Sequence, residues 1–333
     1  MDRRRLLQGC LAVGAGALGV TPLIRPNRFG RSQSRKVSRV AILKADSYSA
    51  DLEQILMDGL NLFNLDMSGK TILLKPNLVE YLPDKEINTH PLFVGATAEC
   101  FLRLGAKKVV VGEGPGHQRD TELLLVESGF EDQLKQRNIR FVDLNRDELI
   151  KIPVNAGYTG LKYLWLPRTV LESDVVVSMP KIKTHHWAGV TLSMKNMFGI
   201  VPGLKHGWPK NILHWNGIHE SILDICASVP IGLVVADGIL CMEGNGPLHG
   251  RTRKLGVIVV GDDPVAADAT MVRLMGLNPE KIWHLGRADC FLGNLESSRI
   301  LQLGEPVEDL RQIFQLLPEF SPLLQNALPN QRA

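Results

Sequence analysis

The sequence predicts an α/β protein with a mostly parallel sheet, flanking helices and a ligand site at the carboxyl ends of the strands. Short, nearly continuous apolar runs alternate with segments of helical periodicity. This pattern is expected for parallel strands that are buried on both faces by the helices connecting them. Polar and charged residues follow several of these runs directly. Ligands of open α/β sheets bind where such strands end.

The first half of the chain has a β-α-β-α-β rhythm. Strands are predicted at 39–44, 70–78, 107–116 and 139–145, and helices at 50–63 and 91–104. Pro91 stands at a favoured first helical position.

The second half continues with strands at 174–183, 231–240 and 254–264 and helices near 210–228, at 264–275 and from 278. Asp263 is the predicted N-cap of the helix that begins at Pro264. We expect one α/β domain over 37–300, with a possible boundary near 150–165, and a peripheral tail over 301–333.

Composition is that of an ordinary globular protein, with 44% apolar and 22% charged residues. The net charge of +3 arises from arginines concentrated near the N-terminus, so the remaining chain is near neutral or mildly acidic. A dedicated nucleic-acid binder would be basic over its folded surface, and we therefore expect no nucleic-acid partner.

The N-terminus reads "MDRRRLLQGCLAVGAGALGVTPLI". Paired arginines before a Gly/Ala-rich apolar stretch are typical of a signal for the Tat export machinery. Residues 1–36 are therefore interpreted as a Tat-type signal or anchor with a basic linker. The expected location is periplasmic or extracytoplasmic, with the uncleaved segment as a possible membrane tether.

The five cysteines include no C-x-x-C pair. An iron–sulfur cluster or a four-cysteine zinc site is therefore not expected. Buried thiols are the ordinary interpretation.

The stretch "PKIKTHHWAGVTLSMKNMFG", from Pro180 to Gly199, holds the densest group of polar residues. Lys181 and Lys183 alternate and should share one face of a strand, whereas the adjacent His185 and His186 should point different ways. Predicted catalytic residues are Lys183, His185 and Lys195, with His185 transferring a proton because imidazole titrates near neutral pH. Predicted ligand-binding residues here are Lys181 and Asn196.

Other candidates follow the earlier strands. Lys75 and Asn77 come directly after "TILL", and an apolar setting requires a partner for the lysine. His90 is either a ligand contact or a helix cap. Glu113, in "GEGPG", is either part of a tight turn or a ligand or general base.

Oxygen ligands for a divalent metal are predicted at Asp237, Glu243 and Asp262. Turn chemistry is the alternative, because Asp-Gly and Asn-Gly are common in turns. His214 and His219 have a spacing found in zinc pairs. A single histidine on a helix face, His206 among them, is more often part of the core or surface.

Six motifs in order resemble the family named domain of unknown function 362: "ILLKPNL", "TH" before the first long helix, "GEGPG", "PKIKTH…TLSMKNMFGIVPG", "VADGI…EGNGP" and "GDDPVAAD". The resemblance spans roughly 37–290. Members often carry a ferredoxin-like cysteine module that this chain lacks, which removes support for electron transfer. The resemblance implies the fold and the site but no reaction.

The stretch "HHWAGVTLSMKN…PG" is also similar to the lactate racemase family, in which a histidine and a lysine hold a nickel-pincer nucleotide. This similarity implies His185 or His186 and Lys195 as cofactor contacts. The chain differs from that family at Leu192 and Ser193, where the family has glycines.

These residues favour an exported enzyme with a lysine, histidine and carboxylate site, with or without a divalent metal, that acts on an anionic small molecule. Lys75, Lys183 and Lys195 would hold its carboxylate or phosphate as point charges. A non-catalytic periplasmic protein that binds or assembles a ligand, metal or cofactor is the alternative. A scaffold with satisfied polar turns is the third hypothesis.

Overall fold

A mostly parallel ten-stranded sheet forms the centre of the described part of the protein, which comprises residues 36–116, 119–289 and 291–325 of a computed structural model. The predicted export signal therefore lies outside the described residues, as do Cys10 and Cys290. The strands are β1 Ser38–Lys44, β2 Thr71–Pro76, β3 Lys108–Glu113, β4 Arg140–Asp143, β5 Leu149–Pro153, β6 Tyr163–Pro167, β7 Val175–Met179, β8 Lys181–His185, β9 Gly189–Thr191, β10 Leu233–Glu243, β11 Arg251–Gly261 and β12 Ile300–Gly304.

The order along the sheet is β12-β1-β11-β10-β7-β2-β3-β4. On this path β11 runs antiparallel to both neighbours, and the other pairs are parallel. β8 pairs with β10 on one side and with β9 on the other, whereas β5 and β6 form a separate two-stranded sheet.

Helices cover the sheet: α1 Leu52–Asn61, α2 Pro91–Arg103, α3 Thr121–Glu127, α4 Phe130–Gln136, α5 Arg168–Leu171, α6 Ser193–Asn196, α7 Gly203–His206, α8 Asn211–Trp215, α9 Ile218–Ser228, α10 Pro264–Leu274, α11 Trp283–Ala288 and α12 Val307–Leu310. Short 3₁₀ helices occupy Met197–Ile200, Pro279–Lys281, Ser297–Arg299 and Pro318–Leu323. No helix in the described ranges has the length and apolar character needed to cross a bilayer.

The apolar strands serve two buried clusters, one on each face of the sheet. In β2, Ile72 and Leu74 pack in one cluster and Leu73 packs in the other. Successive side chains of a strand point to opposite faces, so a continuous apolar run is needed where both faces are covered. The predicted α/β class is confirmed.

Two predicted elements are each divided in the structure. The strand expected over 174–183 is interrupted at Pro180, and its halves β7 and β8 pair in turn with the eleven-residue β10. The single helix expected near 210–228 is two helices, α8 and α9. Gly217 lies between them with φ of 94°, a conformation that ends a helix.

Candidate functional site

A cavity of about 290 Å³ opens where β2 and β3 end, which is the edge of the sheet that the sequence predicted. Strand ends supply Lys75, Asn77, Glu113 and Gly114, and the segment after β7 supplies a second wall. The remaining lining residues are Leu78, Val79, Gly116, Lys183, His185, His186, Trp187, Thr191, Lys195, Asn196, Gly199, Pro209, Lys210, His214, Pro247, Leu248 and His249.

Positive groups outnumber negative ones in this cavity. Lys75, Lys183, Lys195 and Lys210 line it, and Glu113 is the one carboxylate among these lining residues. Lys75 and Lys183 are 0% exposed and Lys210 is 3% exposed. Buried ammonium groups are costly unless they are paired, so the partners of each lysine decide its role.

Lys75 is fully engaged within the protein. Its Nζ donates to the carboxylate of Glu113, to Asn196 Oδ1 at 2.9 Å and to the carbonyl of Pro76 at 2.8 Å. Glu113 also accepts from the backbone N–H groups of Leu78 and Gly114. Three acceptors use the three hydrogens of the ammonium group, so Lys75 organises the site and has no hydrogen left for a ligand.

Lys183 and Lys210 are held by backbone carbonyls. Lys183 Nζ donates to Ile87 at 2.7 Å and to Pro247 at 3.4 Å, and Lys210 Nζ donates to Phe198 at 2.6 Å and to Gly114 at 2.9 Å. Burial lowers the pKa of Lys183 well below its usual range and that of Lys210 to about 7. Each protonated amine retains one hydrogen for a ligand.

Lys195 has a different environment. Its Nζ lies 4.0 Å from the centre of the Phe198 ring and, within the described ranges, donates to no hydrogen-bond acceptor. The side chain is partly exposed to the cavity. Burial, followed by the positive charge of Lys75, lowers the pKa of Lys195 to about 8.

Both adjacent histidines line the cavity, contrary to the expectation from strand alternation. His185 ends β8 and His186 begins a turn, so the alternation does not extend across the pair. His185 Nδ1 accepts from the N–H groups of Trp187 at 3.0 Å and Ala188 at 3.2 Å, which places the proton of the neutral ring on Nε2. Burial, with the charge of Lys195 second, lowers the pKa of His185 well below its usual range. The ring is therefore a neutral donor.

Two buried oxygens in the cavity wall lack a hydrogen-bond partner within the described residues. They are Asn77 Oδ1 and Thr191 Oγ1, on side chains that are 6% and 4% exposed. Buried polar atoms are nearly always paired. The amide oxygen of Asn77 can therefore accept a hydrogen from a ligand, and the hydroxyl of Thr191 can accept or donate one.

The family profile described as Domain of unknown function (DUF362) matches residues 72–273, well over half of the chain. The chain belongs to the DUF362 family. Every cavity-lining residue falls within the matched range.

Three similar proteins give this DUF362 member its context. A thylakoid-associated protein from Synechocystis sp. is 28% identical over 262 residues, which are 74% of this chain and 77% of that protein. The lactate racemase apoprotein from Thermoanaerobacterium thermosaccharolyticum is 15% identical with a TM-score of 0.43, over 73% of this chain and 57% of that one. A Thermotoga maritima structure is 14% identical with a TM-score of 0.32, over 61% and 55%. The DUF362 chain thus spans just over half the length of these two structures.

His186 has a tautomer that leaves one ring nitrogen as a hydrogen-bond acceptor. Its Nδ1 lies 2.7 Å from the carbonyl oxygen of Gly246, so Nδ1 carries the hydrogen and Nε2 is left as an acceptor. Metal-ligating histidines commonly donate their other N–H in this way. His185 has the opposite tautomer and does not offer a ring lone pair.

Lys181 and His90 lie in a second buried cluster and do not line the cavity. Lys181 Nζ donates to Asp237 Oδ2 and to the hydroxyl of Tyr48, both at 2.8 Å, and lies 3.4 Å from Glu86. His90 caps α2 through Leu92 N and stacks on Tyr48 with ring centres 3.7 Å apart. Of the two alternatives for His90, the structure shows the helix cap.

The structure does not bring the predicted metal ligands together. Asp237 pairs with Lys181, Asp262 with Arg39 Nε at 2.8 Å, and Glu243 accepts from Gln315 N at 2.9 Å. Across residues 36–116, 119–289 and 291–325, no three His, Cys, Asp or Glu side chains are grouped so as to hold a metal ion. These carboxylates already have donors within the fold.

The remaining histidines also separate. His214 lines the cavity from α8, whereas His219, on α9, lies 2.9 Å from His284 between the Nδ1 atoms. The two do not form the zinc pair that their spacing allowed. His206 bonds the carbonyl of Pro202 at 3.1 Å.

Thr191 and Lys210 line the cavity although the sequence did not indicate either one, and Lys210 is the more informative case. It sits between Pro209 and Asn211, a composition typical of an exposed turn, and has φ of 68°. Its side chain nevertheless reaches carbonyls of two distant segments. The sequence signal that could have indicated burial of Lys210 is the preceding Trp208-Pro209 pair, because large apolar residues tend to pack within a fold.

Proposed function

We propose that this DUF362 protein binds a small anionic molecule in the cavity and acts on it as an enzyme. The observation that carries the proposal is the convergence of Lys183, Lys195 and Lys210 on one space whose single lining carboxylate is already bonded to Lys75. The three amines have no carboxylate of their own in the wall. A bound anion would supply the missing negative charge.

Burial makes such an anion effective. Charges interact several-fold more strongly in a partly desolvated cavity than in water. Protonation of the three lysines is opposed by burial and by the positive charges of neighbouring lysines, Lys75 above all for Lys195, and an anion offsets both. Lys183 and Lys210 each keep one hydrogen for it, and His185 Nε2–H is a third donor.

The unpartnered oxygens extend the description of the ligand. Asn77 Oδ1 only accepts hydrogens, whereas Thr191 Oγ1 can accept or donate one. The favoured ligand therefore carries an O–H or N–H group in addition to its carboxylate or phosphate.

Lys195 supports an enzyme over the non-catalytic binding protein. A pKa of about 8 leaves a useful fraction of neutral amine near neutral pH, as an acid–base group requires. Proton transfer is accordingly assigned to Lys195. His185, which the sequence favoured for that role, is proposed to hold developing negative charge as a neutral donor.

Calorimetric titration with sulfate tests this assignment, with Lys183→Met compared with Lys107→Met. Loss of one charged hydrogen bond should weaken sulfate binding about 10-fold or more in Lys183→Met. The exposed Lys107 lies outside the cavity, and its variant should bind as the unmodified protein does. Circular dichroism serves as the control that both variants are folded.

Equal affinities in the two variants would contradict the cavity as the anion site. Binding that depends on Lys183, without turnover of any small acid that competes with sulfate, would instead favour the binding-protein alternative.

A further inference from the structure

Lys195 is the least restrained of the four cavity lysines. Lys75, Lys183 and Lys210 each donate to at least two acceptors of the protein, and their side chains are almost completely buried. Lys195 lies against the face of Phe198, and its side chain is partly exposed to the cavity. It is therefore free to approach a bound molecule.

We propose that Lys195 is a nucleophile that forms an imine with an aldehyde or ketone group of the anionic substrate. This inference rests on the proposed function. It gives the neutral amine of Lys195 a covalent role in place of proton transfer, and it narrows the substrate class from small anions to small anions that carry a carbonyl group.

The chemistry balances without a further reactant. The neutral amine of Lys195 attacks the carbonyl carbon, a C–N bond forms, and a proton moves from nitrogen to the former carbonyl oxygen. The hydroxyl group of the resulting carbinolamine takes one proton from an acid, either solvent or a protonated lysine of the cavity, and leaves as water. A protonated C=N bond to Lys195 remains, and it can draw electrons from the adjacent carbon.

The surroundings favour this reaction. A lysine becomes nucleophilic when it is desolvated or placed beside another cation. Lys195 meets both conditions, since burial and the charge of Lys75 lower its pKa to about 8. Lys183 and Lys210 would hold the anionic group and so position the carbonyl within reach of Lys195.

The unpartnered oxygens fit the intermediate. A carbinolamine has an O–H and an N–H donor that the carbonyl substrate lacks. Asn77 Oδ1 accepts hydrogens, Thr191 Oγ1 can accept or donate one, and both residues line the same cavity. They would therefore stabilise the intermediate more than the substrate, as catalysis requires.

Reductive trapping tests the proposal. The full-length protein is incubated with glyoxylate and cyanoborohydride, and the modified peptides are mapped by mass spectrometry. Cyanoborohydride reduces an imine to a stable carboxymethyl-lysine. The exposed Lys107 provides an internal reference in the same digest.

We expect Lys195 to be modified at least about 10-fold faster than Lys107 at neutral pH, because the Lys195 pKa of about 8 leaves a substantial fraction of neutral amine. Excess sulfate should protect Lys195 and not Lys107. Lys195→Arg, which retains a positive charge, should abolish the cavity adduct while circular dichroism shows a folded protein.

Modification of Lys183 or Lys210 in place of Lys195 would overturn the proposal, as would labelling of Lys195 no faster than Lys107. If sulfate binds but no cavity adduct forms, the imine is refuted and the anion site stands. If sulfate neither binds nor protects, both fail.

Discussion

Glu113 is the residue whose neutralisation should reveal how the cavity is organised. The side chains of Lys75 and Glu113 are 0% and 2% exposed. In the variant Glu113→Gln, Lys75 therefore loses its carboxylate partner at a position that solvent does not reach. Breaking a buried ion pair by removing one partner costs about 3–5 kcal/mol. Because Lys75 keeps its bonds to Asn196 and Pro76, we expect the lower end, about 3 kcal/mol.

A surface pair provides the matched control. Lys44 and Glu305 form an ion pair at 2.9 Å with side chains that are 60% and 36% exposed. Solvent-exposed pairs contribute at most about 1 kcal/mol. Glu305→Gln repeats the same chemical change where water can replace the lost partner.

Urea denaturation followed by circular dichroism measures the free energy of unfolding of each variant. Adding Lys75→Met to Glu113→Gln should recover part of the loss, because the unpaired charge is then removed. A cost below about 1 kcal/mol for Glu113→Gln, equal to that of Glu305→Gln, would refute the buried pair as the organiser of the cavity.

Two further predictions follow from the same contacts. Sulfate affinity should fall as pH rises from about 6 to 9, because Lys210 and Lys195, with pKa values of about 7 and about 8, lose the charge that attracts the anion. Calorimetry across this range measures the affinity, and an affinity that does not change with pH would contradict the prediction. Gly199→Ala should lower the free energy of unfolding by about 1–3 kcal/mol, because its Cβ would overlap the Glu113 carboxylate. Gly116→Ala, whose Cβ would lie 4.0 Å from the nearest atom, Pro209 Cβ, should leave unfolding in urea unchanged.

Local chemistry was enough to predict most elements of the fold. Pro91 and Asp263 indicated helix starts because each suits a helix N-terminus. Proline is favoured at the first helical position, and the Asp263 carboxylate accepts from the first free N–H groups. Apolar runs such as 72–74 predicted buried strands because both faces of the sheet are covered. Pro180 and Gly217 each divide an element that was predicted to be continuous. The apolar pattern runs across both positions, so it did not reveal the backbone constraints that these two residues impose.

The edge of the sheet where the cavity opens also followed from the sequence. Parallel strands end at a common edge, so Lys75, Asn77 and Glu113 were expected near one another. The structure places all three at the cavity.

The roles of the individual residues depended on tertiary structure. Lys181 and Lys183 lie two positions apart in β8, yet Lys181 pairs with Asp237 and Lys183 faces the cavity. Lys75 acquires Glu113 and Asn196 from positions 38 and 121 residues away.

The sequence by itself therefore determined the α/β class, the family and the edge of the sheet where the cavity opens, because these depend on local periodicity and on strand direction. Tertiary structure decided which lysines are neutralised and which remain available to a ligand. The physical reason is that the state of a buried charge depends on partners within a few ångströms, and the fold brings those partners from distant parts of the chain.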